Sequence, residues 1–200
     1  MFPWDEPQFE DFIRVVADRV LLTNEKCYVL YTLARNCAYL DGDFAECGVY
    51  KGGAAYLITL ASLDKEVHLF DTFTGIPNSG ITSVDKHKAG DFSDVSFDDV
   101  RAFLARFSDR IYYHQGIIPY TLNIVDRKWA FVHIDVDIYQ TYLACLQYFY
   151  PRMVKGGIML VDDYLWEYCP GCKKAVDEFF IDKVEIPLIL PSMQAVIIKR

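Results

Sequence analysis

Two hundred residues, 52% of them hydrophobic, are enough to bury one sizeable core, which points to a single folded domain and excludes intrinsic disorder. With 20 basic against 28 acidic residues the net charge is −8, so the chain repels a polyanion and bulk nucleic-acid binding is excluded. No apolar run approaches the roughly 20 residues that cross a bilayer, and MFPWDEPQFEDF carries acids where an export signal needs a basic segment; a cytoplasmic protein with no membrane partner is expected.

In chain order, Phe9, Phe12, Ile13, Val16 and Val20 recur at helical spacing, and a second helical stretch over about residues 25–39 runs to the turn Asp41-Gly42-Asp43. Residues 1–40 therefore read as a helical extension and 41–200 as the main domain. From there short apolar runs alternate with helix-length segments: DFAECG with GAAYLITLASL, VHLF with a long polar stretch, then IYYHQG, AFVHI with YQTYLACLQYFY, and GIMLV with CKKAVDEFF. That alternation predicts an α/β doubly wound sheet of parallel strands with crossover helices. VEIPLIL and MQAVIIKR lie too close together for a crossover, so a terminal antiparallel hairpin is expected. Residues 72–93, rich in turn residues from Gly75 to Gly90, show little periodicity and read as a lid over a site.

The run from Asp43 to Ala54 passes from a strand through Gly48, Gly52 and Gly53 into a helix, a turn that brings backbone N–H groups close to a ligand. Tyr50 stands where a dinucleotide fingerprint needs its second glycine, which disfavours a nicotinamide cofactor. Asp71, ending the next strand, is placed to accept hydrogen bonds from ribose hydroxyls, and Glu46 to hold an ammonium group. Tight strand-to-helix packing is the competing reading of these glycines.

The fourth strand ends in His133-Ile-Asp135-Val-Asp137 and the fifth in Asp162-Asp163, both at the edge where open α/β sheets bind ligands. Carboxylates gathered there repel one another unless protonated or neutralised by a cation, and hard oxygen ligands suit Mg²⁺. Adjacent strand residues point to opposite faces, so Asp162 and Asp163 can share an ion only where the strand has relaxed into a turn. Helix capping by Asp137 and Asp163 is the structural alternative. His133, inside an apolar run, reads as a hydrogen-bonded core histidine.

Taken together, ECGVYKGGA, FDTFTGIP, HKAGDFS, HIDVDIYQTY, GGIMLVDDY and GCKKAVDEF resemble the macrocin O-methyltransferase family, Mg²⁺-dependent enzymes that methylate sugar hydroxyls with S-adenosylmethionine. The resemblance covers about residues 41–180. It implies a Rossmann-like class I methyltransferase sheet, mostly parallel with a C-terminal antiparallel strand. It implies methyl-donor contacts at Glu46, Gly48, Tyr50, Gly52, Gly53, Asp71, Gln115 and Gly116, and metal ligands at Asp135, Asp162 and Asp163. Asp135 or Asp137 would be the base that deprotonates the acceptor, a small molecule with a hydroxyl, expected to be a vicinal diol. A homo-oligomer is also implied.

Two other functions fit parts of the pattern. Asp135-Val-Asp137 with Asp162-Asp163 resembles the acids of haloacid-dehalogenase-type phosphatases, although here one helix alone separates the two motifs. A non-catalytic S-adenosylmethionine-binding module is the second. Cys169-Pro-Gly-Cys172, before a helix, has the form of a redox dithiol or half a zinc site, but no second Cys or His pair stands at ligand spacing, and the six cysteines otherwise read as small buried hydrophobes.

Overall fold

The computed structural model describes residues 7–124 and 126–200; the first half of the acidic N-terminal stretch lies outside them. Strands β1 (Asp43–Cys47), β2 (Val67–Asp71), β3 (Ile111–Gln115), β4 (Trp129–Ile134), β5 (Met153–Val161), β6 (Leu188–Ile189) and β7 (Ala195–Ile198) form one sheet in the order β3-β2-β1-β4-β5-β7-β6. The first five are parallel, and β7 runs antiparallel to both β5 and β6, which is the expected terminal hairpin. The strand order reverses between β1 and β4, where a crevice opens at the carboxyl ends of the strands.

Alternation along the strands builds two cores. Phe44, Leu69, Phe131, Ile158 and Leu160 face α1 (Pro7–Val16), α2 (Asn24–Cys37), α3 (Gly53–Ala61) and α4 (Phe97–Phe103). Ala45, Phe70, Val132, Ile134, Met159 and Val161 face α5 (Tyr139–Phe149) and α6 (Pro170–Phe180) on the other side. β1, β2, β4 and the second half of β5 are buried on both faces, hence their continuous apolar runs, whereas β3 at the sheet edge is largely half-buried or exposed.

The N-terminal helices belong to the first of these cores. Cys27, Leu30, Ala34 and Cys37 form one fully buried stripe of α2, at the 3- and 4-residue spacing of a helix face. α1 ends at Val16, earlier than the recurrence through Val20 predicts, because the chain turns there and the carbonyl of Arg19 accepts the N–H of Gly53. α4 has only seven residues, with its N-cap Ser96 accepting from Asp99, and is too short for its periodicity to stand out in the sequence. Among the described residues, no helix is long and apolar enough to cross a membrane.

Candidate active site

At the carboxyl edge a cavity of about 580 Å³ is lined from almost every part of the chain, a volume suited to a cofactor and a small substrate. Gly48, Val49, Tyr50, Asp71 and Gly116 line it from β1, β2 and β3; Asp135, Asp137, Asp162 and Asp163 line it from β4 and β5. Lys26 reaches in from α2, His87 from the 72–93 segment, Trp166 and Tyr168 from the loop after β5, and Met193 from the terminal hairpin.

The glycine turn forms because β1 and β4 approach closely. A Cβ on Gly48 would lie 1.7 Å from the carbonyl oxygen of Asp135, and its φ of +84° is one that side chains avoid. Asp71 holds the turn: one carboxylate oxygen accepts the N–H groups of Val49 (2.6 Å) and Tyr50 (3.0 Å), the other that of Phe73 (2.7 Å). Those amides are thus satisfied within the protein; the oxygen shared by Val49 and Tyr50 has both lone pairs engaged, while the one that accepts from Phe73 keeps lone-pair capacity. Tyr50 and Asp137 have positive φ, as do Phe92 and Met193 on the same cavity wall. Backbone conformations of this cost gather where a site over-determines them.

β5 ends at Val161, and Asp162 and Asp163 stand in the following turn, which frees them from strand alternation. With Asp135 they offer three carboxylate oxygens within 4.8 Å of one another. Burial and the neighbouring charges push Asp135 well above the usual carboxylate range, and burial with the Asp162 charge raises Asp163. Asp162 goes the other way. Burial would raise it, but His133 and Lys26 hold it below its ordinary value. The Lys26 ammonium lies 2.6 Å from Asp162 and 3.7 Å from Asp163, and the Gln194 amide donates to Asp162 at 2.7 Å. An all-oxygen set of three acids fits a hard divalent cation.

Behind Asp162 a buried polar chain runs through the sheet. Glu46 pairs in register with His133, whose Nδ1 lies 3.1 Å from the carboxylate and whose Nε2 lies 3.8 Å from Asp162. Burial alone would lower His133, yet Asp162 and Glu46 outweigh it and raise the imidazole to about 9, so it carries charge at neutral pH. His133 is thus the core histidine its apolar run predicts, with an added role as a buried counter-ion.

The expected site residues separate into two groups. Gly48, Tyr50, Asp71, Gly116, Asp135, Asp137, Asp162 and Asp163 meet at the cavity. Glu46 does not line it: alternation turns its side chain to the α2 side, where it is fully buried against His133. Gly52 and Gly53 pack instead; a Cβ on the first would meet Val100 and Leu104, and on the second the Arg19 carbonyl at 2.6 Å. Gln115 is exposed and outside the wall. The sequence does not single out Lys26, His87 or Gln194 as site residues. Thr23 gives the one local signal: it caps α2 by accepting the Lys26 N–H, setting a lysine in the first turn, where the helix dipole disfavours it.

The 72–93 segment contains no helix or strand but is tied down. Ile76 donates to Asp91 and Gly90 to Ile76, while Asp85 accepts the N–H of Tyr139 at the start of α5, whose N-cap Ile138 has no side-chain bond to offer. His87 reaches Asp137 at 3.7 Å. Cys169 lies 3.8 Å from Asp137, and burial with the charges of Asp163 and Asp137 pushes its thiol far up; Cys172 is also buried and raised. A redox thiol needs the opposite shift.

The sequence profile of the macrocin O-methyltransferase family (TylF) matches residues 31–199. The chain belongs to that family. The demethyldecarbamoylnovobiocin O-methyltransferase of Streptomyces niveus is 30% identical to it over 155 residues, 70% of this chain and 58% of that protein. The mycinamicin III 3''-O-methyltransferase of Micromonospora griseorubida is 28% identical, covering 70% of this chain and 61% of that one. The chain thus spans about three fifths of the length of these curated relatives. Among solved structures, the O-methyltransferase NovP superposes with a TM-score of 0.78 at 24% identity, over 88% of this chain and 80% of that one. CalS11, a calicheamicin methyltransferase, gives 0.72 at 18% identity, over 97% and 93%. The architecture is that of a class I methyltransferase.

Proposed function

We propose that this member of the macrocin O-methyltransferase family transfers a methyl group from S-adenosylmethionine to a hydroxyl of a glycosylated small molecule, with Mg²⁺ as cofactor. The observation that carries the reading is the meeting of Asp135, Asp162 and Asp163 in one cavity with the Asp71-braced glycine turn. Donor and acceptor sites then adjoin, as methyl transfer requires. The named activities of the relatives, all on sugars or natural products, favour the same substrate class.

In this reading Gly48, Tyr50 and Gly116 provide the donor's side of the cavity, and Asp71 faces its ribose hydroxyls. Asp135, Asp162 and Asp163 would hold Mg²⁺, which when bound lowers the pKa of the acceptor hydroxyl and fixes its oxygen. Lys26 and His133 keep Asp162 ionised for that role. Asp137, beside the three acids but outside their set, takes the acceptor proton, with the His87 imidazole 3.7 Å away. The 72–93 segment and the aromatic pair Trp166 and Tyr168, 5.7 Å apart, wall off solvent.

The strand order and terminal hairpin favour a methyltransferase over a phosphatase. The complete acid set favours turnover over a binding module. Both are tested by incubating the protein with S-adenosylmethionine, Mg²⁺ and a panel of glycosides bearing vicinal diols. Methylated product, reduced about 10²- to 10⁴-fold in Asp137→Asn, is expected. Donor binding without methylation of any acceptor would support the non-catalytic module, and phosphate release from a generic ester the phosphatase.

A further inference from the structure

At the opposite, amino-terminal edge of the sheet, a second set of potential ligands stands away from the cavity. Asp43 begins β1, Glu66 immediately precedes β2 and His68 is its second residue; each offers a ligand atom within 4.8 Å of the others. His68 is 3% exposed, and its Nε2 makes no hydrogen bond. That atom lies 3.6 Å from Oε2 of Glu66, a buried oxygen whose one ion-pair partner besides His68, among the described residues, is the Arg127 guanidinium at 3.1 Å. Two atoms each about 2.1 Å from a tetrahedral ion lie roughly 3.4 Å apart, so the pair already has the spacing of joint ligands.

The surroundings of His68 match those of a metal-bound imidazole. Its Nδ1 lies 2.9 Å from Nε2 of His114 on β3. With the proton on Nδ1, His114 is the acceptor that fixes ring and tautomer, and Nε2 presents its lone pair to the two acids. Tyr112 lies nearly parallel to the ring with centroids 5.0 Å apart, His114 is coplanar with it along the Nδ1 contact, and Trp129 meets it edge-on, so His68 is held in this orientation. Tyr112 also donates to Glu66 through Oε1, leaving Oε2 toward His68.

We propose that Asp43, Glu66 and His68 form a second, structural metal site for a divalent transition ion of the zinc class. One imidazole nitrogen and two carboxylates suit such an ion better than Mg²⁺, which prefers oxygen alone. The ion would tie the start of β1 to the start of β2. Arg127 is the resident competitor: its guanidinium lies 3.1 Å from Glu66 and 3.5 Å from Asp43, and its half-exposed side chain is free to swing outward. Metal binding and the Arg127 contacts therefore exclude each other.

Titration of Zn²⁺ into the full chain by calorimetry, with Mg²⁺ in excess to occupy the active-site acids, tests the site. One Zn²⁺ equivalent is expected, with a higher melting temperature. Affinity should fall about tenfold or more in Asp43→Asn and in His68→Gln, and rise about tenfold in Arg127→Ala, where a positive charge beside the ion is gone. Asp43→Asn, at a partly exposed position, keeps the test valid should His68→Gln fail to fold. No Zn²⁺ binding by the wild-type chain would overturn the proposal. So would binding that survives Asp43→Asn and is lost in Asp163→Asn, since the ion would then sit among the active-site acids.

Discussion

Lys26, in the first turn of α2, places its ammonium 2.6 Å from Asp162, at the end of β5 and 136 residues later in the chain. The pair is nearly enclosed, with the side chains 13% and 1% exposed. It joins an N-terminal helix to the acid cluster, so the helix that completes the first core also supplies the cluster's counter-charge.

Removing one partner of such a pair leaves a buried charge uncompensated, at a cost of about 3 to 5 kcal/mol. Lys26→Met should lose stability on that scale by urea denaturation. Adding Asp162→Asn should recover part of the loss, because the stranded charge disappears. Strict additivity in the double-mutant cycle would show that the two residues are not coupled.

His133 gives a pH dependence of definite sign. Its folded value of about 9 lies above the ordinary 6.5, so its contribution to stability is complete below about 6.5 and is lost as pH rises through 9. The stability difference between wild type and His133→Gln should therefore be largest near pH 6 and shrink by pH 10. A difference that grows with pH would mean that His133 is neutral in the folded protein.

Glu185 has the opposite sign. Burial would raise it, but the Tyr150 hydroxyl, the Arg200 N–H and the Lys199 ammonium lower it to about 2, from an ordinary 4.5. Its contribution is present above about 4.5 and lost as pH falls toward 2. Melting curves of Glu185→Gln should lie below wild type at pH 6 and converge with it at the acid end.

Two glycines with nearly the same φ should differ sharply. Gly48→Ala drives its Cβ to 1.7 Å from a backbone oxygen, so a loss beyond about 4 kcal/mol or failure to fold is expected. Gly90, at φ +88°, has no atom within 4 Å of an added Cβ. Gly90→Ala should cost only the conformational penalty, about 1 to 2 kcal/mol by thermal denaturation.

The fold was legible because apolar runs of strand length alternate with helical stretches, and the acids Asp71, Asp135 and Asp162-Asp163 fall where those runs stop. What spacing along one chain does not contain is which face meets which neighbour. Glu46 reads as a ligand-facing acid until strand alternation sets it beside His133 under α2. Gly52 and Gly53 look like part of a ligand cradle until α4 and the Arg19 carbonyl are seen against them. Lys26 and Gln194 carry no local mark of their role, since both reach Asp162 from more than 30 residues away in the chain.

A methyl-donor site and a three-carboxylate metal site sharing one cavity should be separable in calorimetric titrations of S-adenosylhomocysteine and of Mg²⁺ into the wild-type chain and into Asp163→Asn. Both ligands should bind the wild type, and the variant should lose Mg²⁺ while keeping nearly all its affinity for S-adenosylhomocysteine. Failure of the wild type to bind either ligand, or Mg²⁺ binding unchanged in Asp163→Asn, would contradict this arrangement.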